Sequence, residues 1–168
     1  MDKIYTGIGS RRTPKDVLRL MKTFAIFLGG KAAILRSGGA DGADTAFENG
    51  CLFVNGKKEI YLPWKNFNNN KSKFYNISNE AIKIAKEFHP AWNKLSDGAK
   101  KLHSRNVYQV LGYNLNTPTD FVICWSDGKG GTEQALRIAR HYRIKIYNLF
   151  YEDDFYNLKC YLKFLYKR

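Results

Sequence analysis

Ile34-Leu35-Arg36-Ser37-Gly38-Gly39-Ala40-Asp41-Gly42-Ala43-Asp44 passes from a short apolar run, through a glycine bend, into a helical pattern continued by Ala46, Phe47 and Cys51. Two other stretches share this grammar. Ile4-Tyr5-Thr6-Gly7-Ile8-Gly9-Ser10 precedes a helical stripe of Val17, Leu18, Leu20, Met21, Phe24, Ala25 and Leu28. Val122-Ile123-Cys124-Trp125-Ser126-Asp127-Gly128-Lys129-Gly130-Gly131-Thr132 precedes a helix over 132–142. Strands alternating with helices in this way predict a parallel sheet with helices on both faces.

The remaining elements fit between these anchors. The strands expected are 3–8, Ala33 to Arg36, Lys58 to Pro63, Asp120 to Trp125 and Lys145 to Phe150. Thr13 reads as an N-cap and Pro14 as the first helical residue, with Gly29-Gly30 as the stop. Asp41 or a near neighbour opens the second helix. A short helix over 77–88 ends before Pro90, and a longer one runs from a Ser96 cap to a stop at Gly112. Phe155, Leu158, Leu162 and Leu165 give an amphipathic tail helix. The fold class expected is α/β: a Rossmann-like, doubly wound, mostly parallel sheet of about five strands. Residues 1–168 form one domain, with 151–168 as a C-terminal helical extension.

In such sheets ligands sit beyond the carboxyl ends of the strands, where the winding reverses. With the order 3-2-1-4-5, the turn at Gly7–Arg12 faces the turn at Ser126–Thr132 across that crevice, and the Ser37–Gly42 turn lies beside them. Three bends far apart in sequence are expected to line one pocket. Glycine admits a close backbone approach, and a helix start offers free N–H donors, so each bend suits a phosphate.

The chain carries 28 Lys and Arg against 15 Asp and Glu, a formal net charge of +13. A positive field of this size favours nucleic acid or anionic nucleotides, and serves solubility equally well. Aromatic residues make up 15% of the chain, enough to fill a core and to offer stacking platforms. No apolar run is long enough for a membrane span, and no N-terminal stretch reads as a signal peptide, so a cytoplasmic protein is expected. Cys51, Cys124 and Cys160 are too far apart for a metal knuckle and read as buried, reduced thiols. His89, His103 and His141 have no metal-ligand spacing and read as structural. No metal and no cofactor are expected.

Gly9, Ser10, Arg11 and Arg12 combine a tight turn, a hydroxyl and two guanidiniums whose forks match phosphate oxygens. Arg36, Ser37, Gly38 and Gly39 add backbone and hydroxyl donors. Asp41 reads equally as a ribose ligand and as a helix-capping carboxylate, whereas Asp44 reads as structural. Gly130, Gly131 and Thr132 form a third phosphate-binding helix start. They lack both the Walker spacing and the Gly-x-Gly-x-x-Gly fingerprint, so neither ATP hydrolysis nor NAD binding is supported. Glu133 suits a first-turn carboxylate, with an acid/base role as the alternative.

Together, Gly9-Ser10-Arg11, Ser37-Gly38-Gly39-Ala40-Asp41-Gly42-Ala43-Asp44, Ile60-Tyr61-Leu62-Pro63, Arg105-Asn106 and Gly130-Gly131-Thr132 resemble, in content and order, the DprA/Smf–LOG superfamily of Rossmann-like folds. The chain is most similar to a compact phage-type or mobile-element member of the DprA-like branch. That resemblance implies a nucleotide or single-stranded nucleic acid ligand, with Arg105 and Asn106 in its pocket. Through the LOG branch it implies a phosphoribohydrolase acting on a nucleoside monophosphate, with Arg105 and Glu133 catalytic. This chain has no proline before Gly130, and Glu133 follows Thr132 directly, unlike the LOG pattern. A binding protein that sequesters a nucleotide-derived signal is a third reading. Homo-oligomers are common in the superfamily, and the tail helix is a candidate interface.

Overall fold

The computed structural model describes residues 2–167. Strands β1 (Ile4–Gly9), β2 (Ile34–Ser37), β3 (Lys58–Ile60), β4 (Phe121–Trp125) and β5 (Lys145–Asn148) pair in parallel in the order β3-β2-β1-β4-β5. Helices α1 (Lys15–Gly30), α2 (Ala43–Phe53), α3 (Asn79–Glu87), α4 (Asp97–Leu111), α5 (Thr132–His141) and α6 (Glu152–Leu165) complete the chain. The sheet is all-parallel and doubly wound, and β1 lies at its centre beside β4, as the glycine-bend reading expects.

Alternation along the strands assigns the two faces. On β4, Phe121, Ile123 and Trp125 enter the core shared with α1, α2 and α6, while Val122 and Cys124 enter the core shared with α3, α4 and α5. Both faces of β4 are covered, so that strand reads as an unbroken apolar run. Gly7 belongs to this packing, because a Cβ there would run into the Phe47 ring. Most large aromatics serve the interior: Tyr5 stacks on Phe121, and Tyr61 on Tyr108.

Several boundaries differ from the sequence expectations. Thr13 does not cap α1; its hydroxyl donates to the Ser10 carbonyl at 2.6 Å and closes the preceding turn, and Pro14 takes the cap position. The second helix begins at Ala43 with Gly42 in the cap position, so a near neighbour of Asp41 opens it, as expected. The third strand ends at Ile60, because the chain turns to meet Phe74: Tyr61 bridges it and the Leu62 N–H donates to its carbonyl at 2.7 Å. Ser96 caps α4 as expected, accepting from the Ala99 N–H at 3.3 Å, and Gly112 ends it. Cys51 and Cys124 are buried, but Cys160 is exposed on α6. The tail helix is packed into the domain, burying Leu158 and Leu162 in the core below α1 and the sheet.

Candidate functional site

All three bends reach one rim. Ser10 continues β1 and its N–H donates to the Trp125 carbonyl at 3.0 Å, which staples the first bend to the third. Arg12 adds an ion pair to Asp127 at 2.7 Å. Between the bends lies a cavity of about 420 Å³. Gly9, Ser10, Arg11 and Arg12 line it from the first bend; Ala40, Asp41 and Asp44 from the second; Gly130, Gly131 and Thr132 from the third. The wall opposite is α4, through Leu102, His103, Arg105, Asn106 and Gln109.

Helix α4 holds the bends apart with two consecutive residues. Arg105 Nη1 donates to the Gly38 carbonyl and lies 3.4 Å from Asp44 Oδ2, so it fastens the second bend. Asn106 Nδ2 donates to the Gly131 carbonyl at 3.2 Å and to Gln134 Oε1 at 3.1 Å, so it fastens the third. Neighbouring helical residues point about 100° apart, which lets one Arg-Asn step reach two loops. The Ala40 N–H donates to Asp44 Oδ2 at 3.3 Å and completes the second bend. Gly38 has no room for a side chain, because a Cβ would overlap the Arg105 guanidinium and the Gln109 amide.

The electrostatics follow from this packing. Arg105 and Asp44 are both buried, and desolvation moves each against its charge: Asp44 up and Arg105 down, with the partner's charge opposing. The guanidinium keeps its proton in proteins, so the two form an ion pair that leaves little net charge on the floor. Arg11 is different. It is exposed, it lines the cavity, its charge is felt at Arg105, and it makes no ion pair among the described residues. The start of α5 adds backbone N–H donors at Gly131 and Thr132, together with the positive end of a ten-residue helix dipole. Arg11 and the start of α5 are therefore the positive groups open to the cavity, and Asp41, exposed on the same lining and without an ion pair among the described residues, is the negative one.

Some expected site residues lie elsewhere. Arg36 does not line the cavity: alternation on β2 turns it toward the α3–α5 side, where Nε meets Glu59 Oε2 at 2.7 Å and Nη1 donates to the Thr117 carbonyl at 2.5 Å. Ser37 is fully buried and donates to the Gly7 carbonyl at 2.7 Å. Gly38 and Gly39 shape the bend from behind, their carbonyls accepting from Arg105 and Asn68. Glu133 also stays out of the cavity. Its carboxylate accepts from Ser126 Oγ at 2.7 Å and pairs with Arg140 at 3.3 Å, a fastening of the third bend to α5.

His103, Gln109 and Asp44 line the cavity without having been singled out as ligands. His103 lies edge-on to His89, with ring centroids 4.4 Å apart. Burial, and then the neighbouring His89, push its pKa down to about 4, so the imidazole is neutral at physiological pH. The signal was present as a helical face: Ala99, Leu102, His103, Asn106 and Gln109 follow a three-to-four spacing on α4.

The chain matches no protein-family model, no curated protein and no solved structure. Its functional reading rests on the cavity itself.

Proposed function

We propose that this protein binds a nucleotide by its phosphate in the cavity at the carboxyl ends of β1, β2 and β4. The observation that carries the reading is the convergence of three glycine bends, unpaired Arg11 and the start of α5 on one cavity. Its volume falls in the range of about 300–1,000 Å³ typical of small-molecule sites. It suits one nucleotide unit, either free or as part of a single strand threaded across the rim. The guanidinium and the free N–H groups take the phosphate. The apolar wall of Leu102 and Ala99 is available to a base. Membership of the DprA-like branch of the DprA/Smf–LOG superfamily belongs to the same proposal. The order of the motifs supports it, and so does the placement of Arg105-Asn106 against the bends.

Binding is favoured over hydrolysis because Glu133, the acid implied by the LOG pattern, is held by Ser126 and Arg140 away from the cavity. Titration calorimetry with nucleoside monophosphates, alongside anisotropy with a labelled single-stranded oligonucleotide over a salt series, tests the reading. A monophosphate ligand gives saturable binding with weak salt dependence, lost in Arg11→Ala with the melting temperature unchanged. A polymer ligand, which the +13 charge favours, gives affinity falling with a log–log slope of about −0.7 per phosphate contacted. Absence of both kinds of binding overturns the proposal, and release of free base moves the assignment to a hydrolase.

A further inference from the structure

Asp41 reads from the sequence either as a cap for α2 or as a ribose ligand, and its surroundings remove the first role. Gly42 takes the cap position, and no side chain caps that helix. The second bend is closed by other groups: Asp44 Oδ2 accepts from the Ala40 N–H at 3.3 Å, and Thr45 Oγ1 donates to the Ala40 carbonyl at 2.8 Å. Asp41 itself is exposed and lines the cavity, and its carboxylate makes no hydrogen bond or ion pair among the described residues. Gly42, at φ +91°, brings this bend against the first one; a Cβ on it would lie 4.0 Å from the Ser10 carbonyl oxygen. Asp41 and Arg11 therefore stand on abutting bends, both open to one cavity, and do not pair.

A free carboxylate repels a phosphate, more strongly in a cleft than in open water. It therefore confines the phosphate to Arg11 and the start of α5. The ligand that satisfies both charges is an anion at one end with hydrogen-bond donors on the adjoining group. The layout of the cavity says which group that is. With the phosphate at α5 and a base on Ala99 and Leu102 of α4, the second bend is left to the piece that joins them, the sugar. An ionised carboxylate is acceptor-only and has two oxygens. A ribose offers it two neighbouring hydroxyl donors, whereas a 2′-deoxyribose offers one. A deoxy sugar thus leaves the carboxylate beside the phosphate with less to offset the repulsion.

We propose that Asp41 reads the sugar: its carboxylate accepts from the 2′- and 3′-hydroxyls of a ribose, and the cavity selects ribonucleotides over deoxyribonucleotides. This rests on the phosphate-binding reading above and adds to it which sugar the bound nucleotide carries. A free ribonucleoside monophosphate offers this chemistry, and so does a single strand of RNA, which keeps the 2′-hydroxyl at every position.

The test is calorimetry on the full chain with ribonucleoside 5′-monophosphates and their 2′-deoxy counterparts, beside anisotropy with RNA and DNA oligonucleotides of matched sequence. The expected result is that the ribo form of each base that binds does so at least about tenfold more tightly, the effect of losing a hydrogen bond to a charged group. Asp41→Ala brings the ribo affinity down to the deoxy value, and Asp41→Asn, which keeps one acceptor oxygen, falls between. Both variants melt with the parent, because the carboxylate holds nothing in the fold. A preference among the monophosphates identifies a free nucleotide as the ligand, and one confined to the oligonucleotides identifies RNA; either supports the sugar reading. Equal affinity for ribo and deoxy forms, with both lost in Arg11→Ala, overturns the inference and leaves the phosphate site standing. A sugar preference that survives Asp41→Ala also overturns it. So does a loss in Asp41→Ala that follows the base and not the sugar, which would give the carboxylate to a base amine. Absence of binding by every one of these ligands overturns the phosphate reading and this inference with it.

Discussion

At Arg105 the chemistry of this chain departs furthest from a surface reading of its sequence. An arginine in a helix is ordinarily solvated, whereas here it is buried and holds the Gly38 carbonyl beside Asp44. Gly38→Ala is expected to push the guanidinium off that carbonyl, because the added methyl overlaps it. The cost should be about 1–3 kcal/mol, the usual range for overpacking, read as a lower denaturation midpoint at unchanged m-value. His103 makes a second prediction at this scale. Its folded-state pKa of about 4 lies below the ordinary 6.5, so between these values the unfolded chain binds the extra proton. Stability is therefore fully present above pH 6.5 and falls as the pH drops through that window. Denaturation midpoints measured across it should fall less steeply in His103→Gln than in the parent. An identical slope would mean that His103 carries no part of the pH dependence.

Helix α5 and its preceding bend raise a question of role at the scale of the element. Glu133 fastens the bend through Ser126 and the helix through Arg140, while Asn106 holds the same bend from α4. Glu133→Ala should lower stability by about 0.5–1.5 kcal/mol, the range for a lost hydrogen bond, and leave nucleotide affinity within about twofold of the parent. Thermal melts and calorimetry on the same sample separate the two effects. A large loss of affinity with an unchanged melt would place Glu133 in the ligand's path. The strand elements were largely legible as short apolar-centred runs, the first four of them closed by a nearby glycine or proline. The start of α1 was not. Thr13 has the residue type of an N-cap, yet the Ser10 carbonyl took its hydroxyl, and a helix start is decided by which acceptor lies nearest in three dimensions.

Across the whole molecule, α6 joins the core that α1, α2 and the sheet share. Tyr161 packs edge-on to Phe121 at 5.3 Å and stacks on Tyr147 at 5.6 Å, beside buried Leu158 and Leu162. Burying each of those leucines stabilises by about 1.5–3 kcal/mol, against a typical net stability of about 5–15 kcal/mol. A chain ending at Tyr151 is therefore expected to lose its cooperative transition and bind a hydrophobic dye. A cooperative melt near the parent temperature would show that α6 is dispensable to the fold.

Local pattern carried the architecture. Apolar runs, glycine bends and helical stripes were enough to place five strands in a doubly wound sheet, since burial on both faces demands that periodicity wherever the chain goes. Winding order then brought Gly9, Asp41 and Gly130 to one rim. Which side chains face the cavity was decided only in three dimensions. Arg36, Ser37 and Glu133 carry ligand-like groups, but each found a nearer partner inside the protein, and a buried polar group left unpaired costs more than a ligand contact returns. Arg11 makes no ion pair among the described residues, although Asp41 lines the same cavity, a fact of distance that no reading along the chain contains.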